Sequence, residues 1–273
     1  MELPTYRSTM ITRVPGVGVT FERAQVAVPR TPHAPESAEY RRSAASLVMS
    51  VFLVLDLFLL GANVLLGAMV GITAMFNSGE EAGGLGSIYD DPSLLWLNAF
   101  VVLVMMGLIP LAWVLASRRE GLTGAVQYLG LHRFGRSLFV GTGLAGLMLS
   151  GSILVLLFFA FTGIPFSPGA VEDVPLPVGF GWPLVIMVSF AAGFGEEILF
   201  RGVLQRWTGW VGQAVLFAIA HLAGGEPLQV GVTLATGLVF GRLRALGWSL
   251  WTLITAHAVY DFCLLGMEIV TSG

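Results

Sequence analysis

The sequence has little charge, a single cysteine and no lysine at all. Its 273 residues are 11% charged and 55% hydrophobic, and all 14 basic residues are arginine. A soluble domain must cover its surface with more polar residues than this composition supplies. Cys263 has no second cysteine for a disulfide within the chain, and the net charge of -3 argues against nucleic acid as a partner. The composition therefore predicts an integral membrane protein.

Long apolar runs predict the fold class, an all-α polytopic transmembrane helical bundle with about seven spans, because about 20 apolar residues cross a bilayer as a helix. The first run exceeds one span, so tilt, a break near Gly61 or an interfacial end would absorb the excess. The fifth and sixth runs are short enough to be re-entrant. The predicted spans are 44–76, 94–116, 138–163, 182–204, 208–223, 228–241 and 246–268.

Composition also divides the chain. Residues 1–43 are polar, rich in Arg and Pro and aperiodic, which predicts a flexible cytoplasmic tail. Residues 44–178 are expected to form the N-terminal transmembrane helices, and residues 179–268 the functional core. With seven spans every arginine-bearing loop falls on one side, so the positive-inside rule predicts a cytoplasmic N-terminus and an external C-terminus. The all-arginine composition favours a bacterial plasma membrane.

Seven ionisable side chains interrupt the apolar runs. Each costs a few kcal/mol in the bilayer, so each is expected to have a partner or a function. Asp56 stands alone in the first run and is assigned no catalytic role. The other six lie in the last four predicted spans, where three of them are each about ten residues, roughly 15 Å, from the predicted cytoplasmic end. The six are Glu196, Glu197, Arg201, His221, His257 and Asp261.

Spacing along a helix suggests how these side chains pair. Glu197 and Arg201 are four residues apart, which predicts an ion pair on one helix face. Glu196 is turned by about 100° from Glu197 and can face a different neighbour. A structural ion pair or a satisfied interhelical histidine would give the same pattern without catalysis. The four-residue spacing recurs in two further pairs, Phe217 with His221 and His257 with Asp261.

Three motifs formed by these residues resemble the CPBP family of intramembrane proteases, the CAAX prenyl endopeptidase and bacteriocin-processing (Abi-like) group. EExxxR stands at 196–201, FxxxH at 217–221 and HxxxD at 257–261, and the likeness covers roughly residues 180–265. The resemblance implies an intramembrane endopeptidase that hydrolyses a membrane-associated peptide or protein with an activated water. The catalytic residues it implies are Glu196, Glu197, His221, His257 and Asp261, with Arg201 and Phe217 as structural support.

The resemblance also implies how the roles divide. Glu196 with His221 would hold and deprotonate the water, and His257, helped by Asp261, would stabilise the oxyanion. Asp261 stands where the family often has asparagine. An ionised aspartate only accepts hydrogen bonds, so Asp261 is either protonated or orients His257.

The sequence does not decide whether the protein uses a metal cofactor. Glu196, His221 and His257 come from three helices and could hold Zn²⁺ with a water in the fourth position. No HExxH motif is present, however, and the family has been described both as metal-dependent and as a metal-free glutamate protease.

The expected partners are membrane lipid and a membrane-associated peptide substrate. Two other classes of protein fit the same residues. A non-catalytic immunity factor or scaffold would keep its phenotype after both Glu196 and His221 are changed to Gln. A proton-coupled transporter would show substrate-dependent proton flux in liposomes and no cleavage, although the absence of an internal repeat weakens that interpretation.

Overall fold

In the computed structural model of this chain, the described residues are 44–76, 92–118, 121–163, 181–222 and 227–272. All regular structure in these ranges is helical, which confirms the predicted fold class. The predicted tail, residues 1–43, lies outside the described residues. In chain order the segments are α1 (Ala44–Phe76), α2 (Pro92–Val102), π1 (Leu103–Leu108), α3 (Ile109–Ser117), α4 (Gly121–Leu129), α5 (Phe134–Thr162), α6 (Trp182–Glu196), π2 (Glu197–Leu204), α7 (Gln205–Ala220), α8 (Pro227–Ala245) and α9 (Leu250–Ser272).

The first apolar run forms one continuous helix. Of the three ways to absorb its excess length, the break near Gly61 is wrong, because α1 has 33 residues without interruption. Nothing lies within 4 Å of a Cβ built on Gly61, so this glycine marks neither a kink nor a close contact. Its apolar part, Ala44–Met69, is long enough to cross a membrane.

The prediction of about seven spans is wrong in number. Within the described residues, five stretches are long and apolar enough to cross a membrane. The predicted fourth and fifth spans lie in one apolar stretch, Trp182–Ala220, which the non-helical backbone of Gly209 (φ 74°, ψ 176°) divides into two helices. α8 is less apolar than the other long helices, because it contains polar residues and carries Arg242 and Arg244 in its last turn. The five are Ala44–Met69, Ser93–Ser117, Leu122–Thr162, Trp182–Ala220 and Leu250–Thr271.

Close contacts between small residues bring the site-bearing helices together. A Cβ added to Gly193 of α6 would lie 2.7 Å from the Cβ of Ala258 in α9. Gly237 and Gly241 of α8 contact α7 in the same way: a Cβ on Gly237 would lie 3.1 Å from Ala214. Because glycine has no side chain, the backbones of the two helices can approach each other closely. Gly237 and Gly241 are four residues apart, so this GxxxG step forms a close helix-packing contact.

Two groups of buried apolar side chains surround the site. The larger one joins α3, α4, π2, α8 and α9, and includes Ile198, Phe240 and Leu253. The smaller one consists of Leu199, Phe200 and Phe217, with Leu57 and Leu60 of α1 packed against it. α1 thus supports the site through packing, although it supplies none of the predicted catalytic groups.

Candidate active site

The glutamate pair lies where an α-helix changes into a wider π-helix. Glu196 is the last residue of α6 and Glu197 is the first of π2. A π segment has the rare i→i+5 hydrogen-bond pattern, which often occurs at functional sites. Residues 197–203 of this segment are all buried. The helix change thus sits at the centre of the bundle, next to the groups predicted to be catalytic.

Glu197 and Arg201 form a fully buried ion pair. Nη1 of Arg201 donates to Oε1 of Glu197 over 2.8 Å, and both side chains have 0% exposure. The guanidinium carbon of Arg201 also lies 4.1 Å from the centre of the Phe217 ring, a cation–π contact. Neither charge reaches water, so each depends on the other to offset its cost of burial.

His257 lies among three carboxylates. Its Nδ1 donates to Oε1 of Glu197 over 3.0 Å, so one glutamate oxygen serves both His257 and Arg201. Its Nε2 lies 3.4 Å from Oδ2 of Asp261 and 3.9 Å from Oε2 of Glu196. A ring with an acceptor near each nitrogen suits an imidazolium, which has two N–H donors. α9 and the α6–π2 junction are thereby connected through one imidazole.

Glu196 and Asp261 form the open side of this cluster. Their side chains retain 14% and 24% exposure, whereas Glu197 retains none. Oε2 of Glu196 is itself buried and has no hydrogen-bond partner among the described residues. A carboxylate with one unpartnered oxygen at the edge of the cluster is placed to accept a proton from a water molecule.

His221 belongs to the same cluster through Phe217. Its Nδ1 lies 2.8 Å from the carbonyl oxygen of Phe217. A carbonyl only accepts, so Nδ1 carries the proton and Nε2 of the neutral ring has a lone pair. The Phe217 ring centre lies 4.7 Å from that of His221 and 6.2 Å from that of His257.

The arrangement does not fit a three-ligand metal site. No group of three His, Cys, Asp or Glu side chains in the described ranges is arranged to hold a metal ion. Both nitrogens of His257 are next to carboxylates, and Nδ1 of His221 is bonded to a backbone carbonyl. Among the described residues, the set Glu196, His221 and His257 is therefore not arranged as three ligands of one metal ion.

Comparison with known families agrees with the three motifs. Residues 177–263 match the family model described as type II CAAX prenyl endopeptidase Rce1-like. This segment is similar to that family. It covers about a third of the 273 residues and contains every residue predicted to be catalytic. No curated protein and no solved structure matches the chain. The family predicted from the motifs is confirmed for this segment.

Two features of residues 177–263 were not predicted from the sequence. Glu197 was expected to pair with Arg201 alone, whereas the structure adds His257 as a second donor to the same oxygen. Phe217 was expected only as structural support, whereas its ring contacts Arg201, His221 and His257. The FxxxH spacing was a signal for the contact with His221. Nothing in the sequence pointed to the other two contacts, because they join separate helices.

Asp56 lies outside this cluster. It is only 3% exposed in α1, and neither of its carboxylate oxygens has a hydrogen-bond partner among the described residues. It keeps no assigned catalytic role.

Proposed function

We propose that the protein is an intramembrane endopeptidase that hydrolyses a membrane-associated peptide or protein. The observation that carries this proposal is the meeting of Glu196, His257 and Asp261 beside a fully buried Glu197–Arg201 pair. The match of residues 177–263 to a CAAX prenyl endopeptidase family supports the same reaction class. The cluster is carried by apolar helices long enough to cross a membrane, so a substrate that is itself held in the membrane would reach it.

In this mechanism Glu196 is the general base. It takes a proton from a water molecule as the water oxygen attacks the scissile carbonyl carbon. His221, whose Nε2 has a free lone pair, positions that water by accepting its second hydrogen. When the carbon–nitrogen bond breaks, protonated Glu196 returns its proton to the leaving amine. The products are a carboxylic acid and an amine, and the base is regenerated.

His257 would stabilise the oxyanion formed during the attack. An N–H at Nε2 is directed to the open side of the cluster, where Glu196 and Asp261 flank it. The hydrogen bond to Glu197 fixes the ring, because Glu197 is itself held by Arg201. A donor held in place before the reaction costs no reorganisation when charge develops. Asp261 orients His257 from one helical turn away.

The test is terminal-amine proteomics on membranes from cells that express the wild type or Glu196→Gln. We expect at least one new N-terminus in the wild-type sample that is about a hundredfold or more depleted in the variant, the scale of a lost general base. Glu268→Gln is the matched control, because it makes the same chemical change in a different helix, α9, about two turns beyond Asp261. Unchanged cleavage in Glu196→Gln would overturn the mechanism.

Two further measurements distinguish the peptidase from a scaffold and from a proton-coupled transporter. A scaffold would keep its phenotype in a Glu196→Gln, His221→Gln double variant. A proton-coupled transporter would produce substrate-dependent proton flux in liposomes without any new N-terminus.

A further inference from the structure

Three arginines gather around one tyrosine, away from the candidate active site. The guanidinium carbons of Arg118 and Arg206 lie 3.9 Å and 4.0 Å from the ring centre of Tyr128. Arg244 donates from Nη2 to the carbonyl oxygen of Leu129, the next residue along the chain. This group, Arg118, Tyr128, Arg206 and Arg244, is called the arginine–tyrosine cluster below.

Helix capping explains part of this arrangement. α4 ends at Leu129, and cations near a helix C-terminus satisfy its last carbonyl groups. Arg206 donates to the carbonyl of Tyr128, and Arg244 also donates to the carbonyl of Trp248 over 3.1 Å. Each guanidinium has five N–H donors, however, so capping uses only a minority of them.

The unused donors include buried ones. The Nε–H groups of Arg118 and Arg244 are buried and have no hydrogen-bond partner among the described residues. Buried polar groups normally find a partner, so these donors favour an acceptor that lies outside the described residues. Arg118 makes its ring contact with Tyr128 without using those donors.

The cluster also has unbalanced positive charge. Within the described parts of the chain none of its arginines takes part in a salt bridge. Arg206 and Arg244 are close enough to repel each other. Planar guanidinium groups bind phosphate oxygens through paired hydrogen bonds, so a phosphate would supply both the missing acceptors and the missing charge.

Tryptophan rings place this cluster at the level of lipid headgroups. The Trp113 ring packs edge-on against Tyr128 and against Trp207, with ring centres 6.3 Å and 5.8 Å apart. Trp207 is 54% exposed. Tryptophan is enriched where a membrane meets water, and arginine at the cytoplasmic side of that boundary attracts anionic lipids.

We propose that the arginine–tyrosine cluster binds the phosphate of an anionic phospholipid. The exposed indole of Trp207 beside the cluster would contact the glycerol and upper acyl region of that lipid, a contact that free phosphate cannot make. The site is separate from the glutamates and does not depend on peptidase activity.

The test is native mass spectrometry of the full-length protein released from mixed micelles of phosphatidylglycerol and phosphatidylcholine. We expect the wild type to retain phosphatidylglycerol in preference to phosphatidylcholine. Arg118→Gln and Arg206→Gln should each lower this retention about fivefold. The matched control is Arg136→Gln, which removes the same charge from an exposed arginine of α5 and should leave retention unchanged. An equal loss in the control would mean that bulk charge attracts the lipid, and would overturn the proposal.

Arg118→Lys provides a test that keeps the charge if the glutamine variants fold poorly. Lysine lacks the planar guanidinium, so retention should again fall. Wild-type retention in this variant would overturn a built phosphate site. A further arm adds inorganic phosphate to the protein in detergent without phospholipid. Binding as tight as that of phosphatidylglycerol would overturn the assignment to a lipid.

Discussion

The two adjacent glutamates have opposite environments. Glu197 is fully buried, and its Oε1 accepts hydrogen bonds from Arg201 and His257. Glu196 keeps 14% exposure, and its Oε2 lies 3.9 Å from Nε2 of His257. Removing one partner of a buried ion pair destabilises a fold, whereas a carboxylate at the exposed edge of the cluster can exchange a proton. Neighbouring identical residues can thus divide structural and chemical roles.

The largest expected difference between the two glutamates is in stability. Glu197→Gln would leave Arg201 buried without its anionic partner, which costs about 3–5 kcal/mol of unfolding free energy. Glu196→Gln should cost less than about 1 kcal/mol, because no hydrogen bond to its buried oxygen is lost. Equilibrium unfolding in mixed detergent micelles measures both.

A compensating variant sharpens this comparison. Adding Arg201→Met to Glu197→Gln removes the orphaned cation and should recover much of the lost stability. Equal losses in Glu196→Gln and Glu197→Gln would contradict the division of roles.

The next largest effect concerns the distance between the two helices that carry the cluster. In Gly193→Ala the new Cβ would lie 2.7 Å from Ala258, so α6 and α9 must separate. Overpacking of this kind costs about 1–3 kcal/mol, and it would move Glu196 away from His257 and slow cleavage. Unfolding curves and product yield report the two effects.

Gly61→Ala is the control for that substitution. Nothing lies within 4 Å of the new Cβ, so the change should be neutral or should stabilise α1 by up to about 1 kcal/mol. A loss similar to that of Gly193→Ala would contradict the assignment of that loss to the contact with Ala258, because Gly61 has no such neighbour.

The smallest expected effect is on the aromatic ring between the histidines. Phe217→Leu keeps an apolar side chain but loses the cation–π contact with Arg201, which contributes about 1 kcal/mol. Cleavage should fall more than stability, because the ring also contacts His221 and His257. Phe139→Leu, at a position with 83% exposure, should change neither. Thermal unfolding and product yield are measured for both variants. Equal behaviour of Phe217→Leu and Phe139→Leu would contradict a role for the Phe217 ring.

The sequence predicted the fold class and the family for clear physical reasons. Apolar runs of about 20 residues have few stable forms other than membrane helices, so an all-α bundle followed from composition. Costly polar residues within those runs pointed to a site, and the three motifs named its family. The number of spans could not be predicted from the runs alone. The apolar stretch Trp182–Ala220 is divided into two helices by the non-helical backbone of Gly209, and the polar residues and terminal arginines of α8 make that helix less apolar than a typical membrane span.

The catalytic candidates Glu196, Glu197, His221, His257 and Asp261, and the Glu197–Arg201 pair, were already readable from the sequence, because local spacing and intramembrane charge are properties of the chain itself. Contacts between helices were not, because they depend on how far each backbone approaches and turns. Tertiary structure alone decided that His257 shares an oxygen of Glu197 with Arg201, that Phe217 lies between the imidazoles, and that three distant arginines meet at Tyr128.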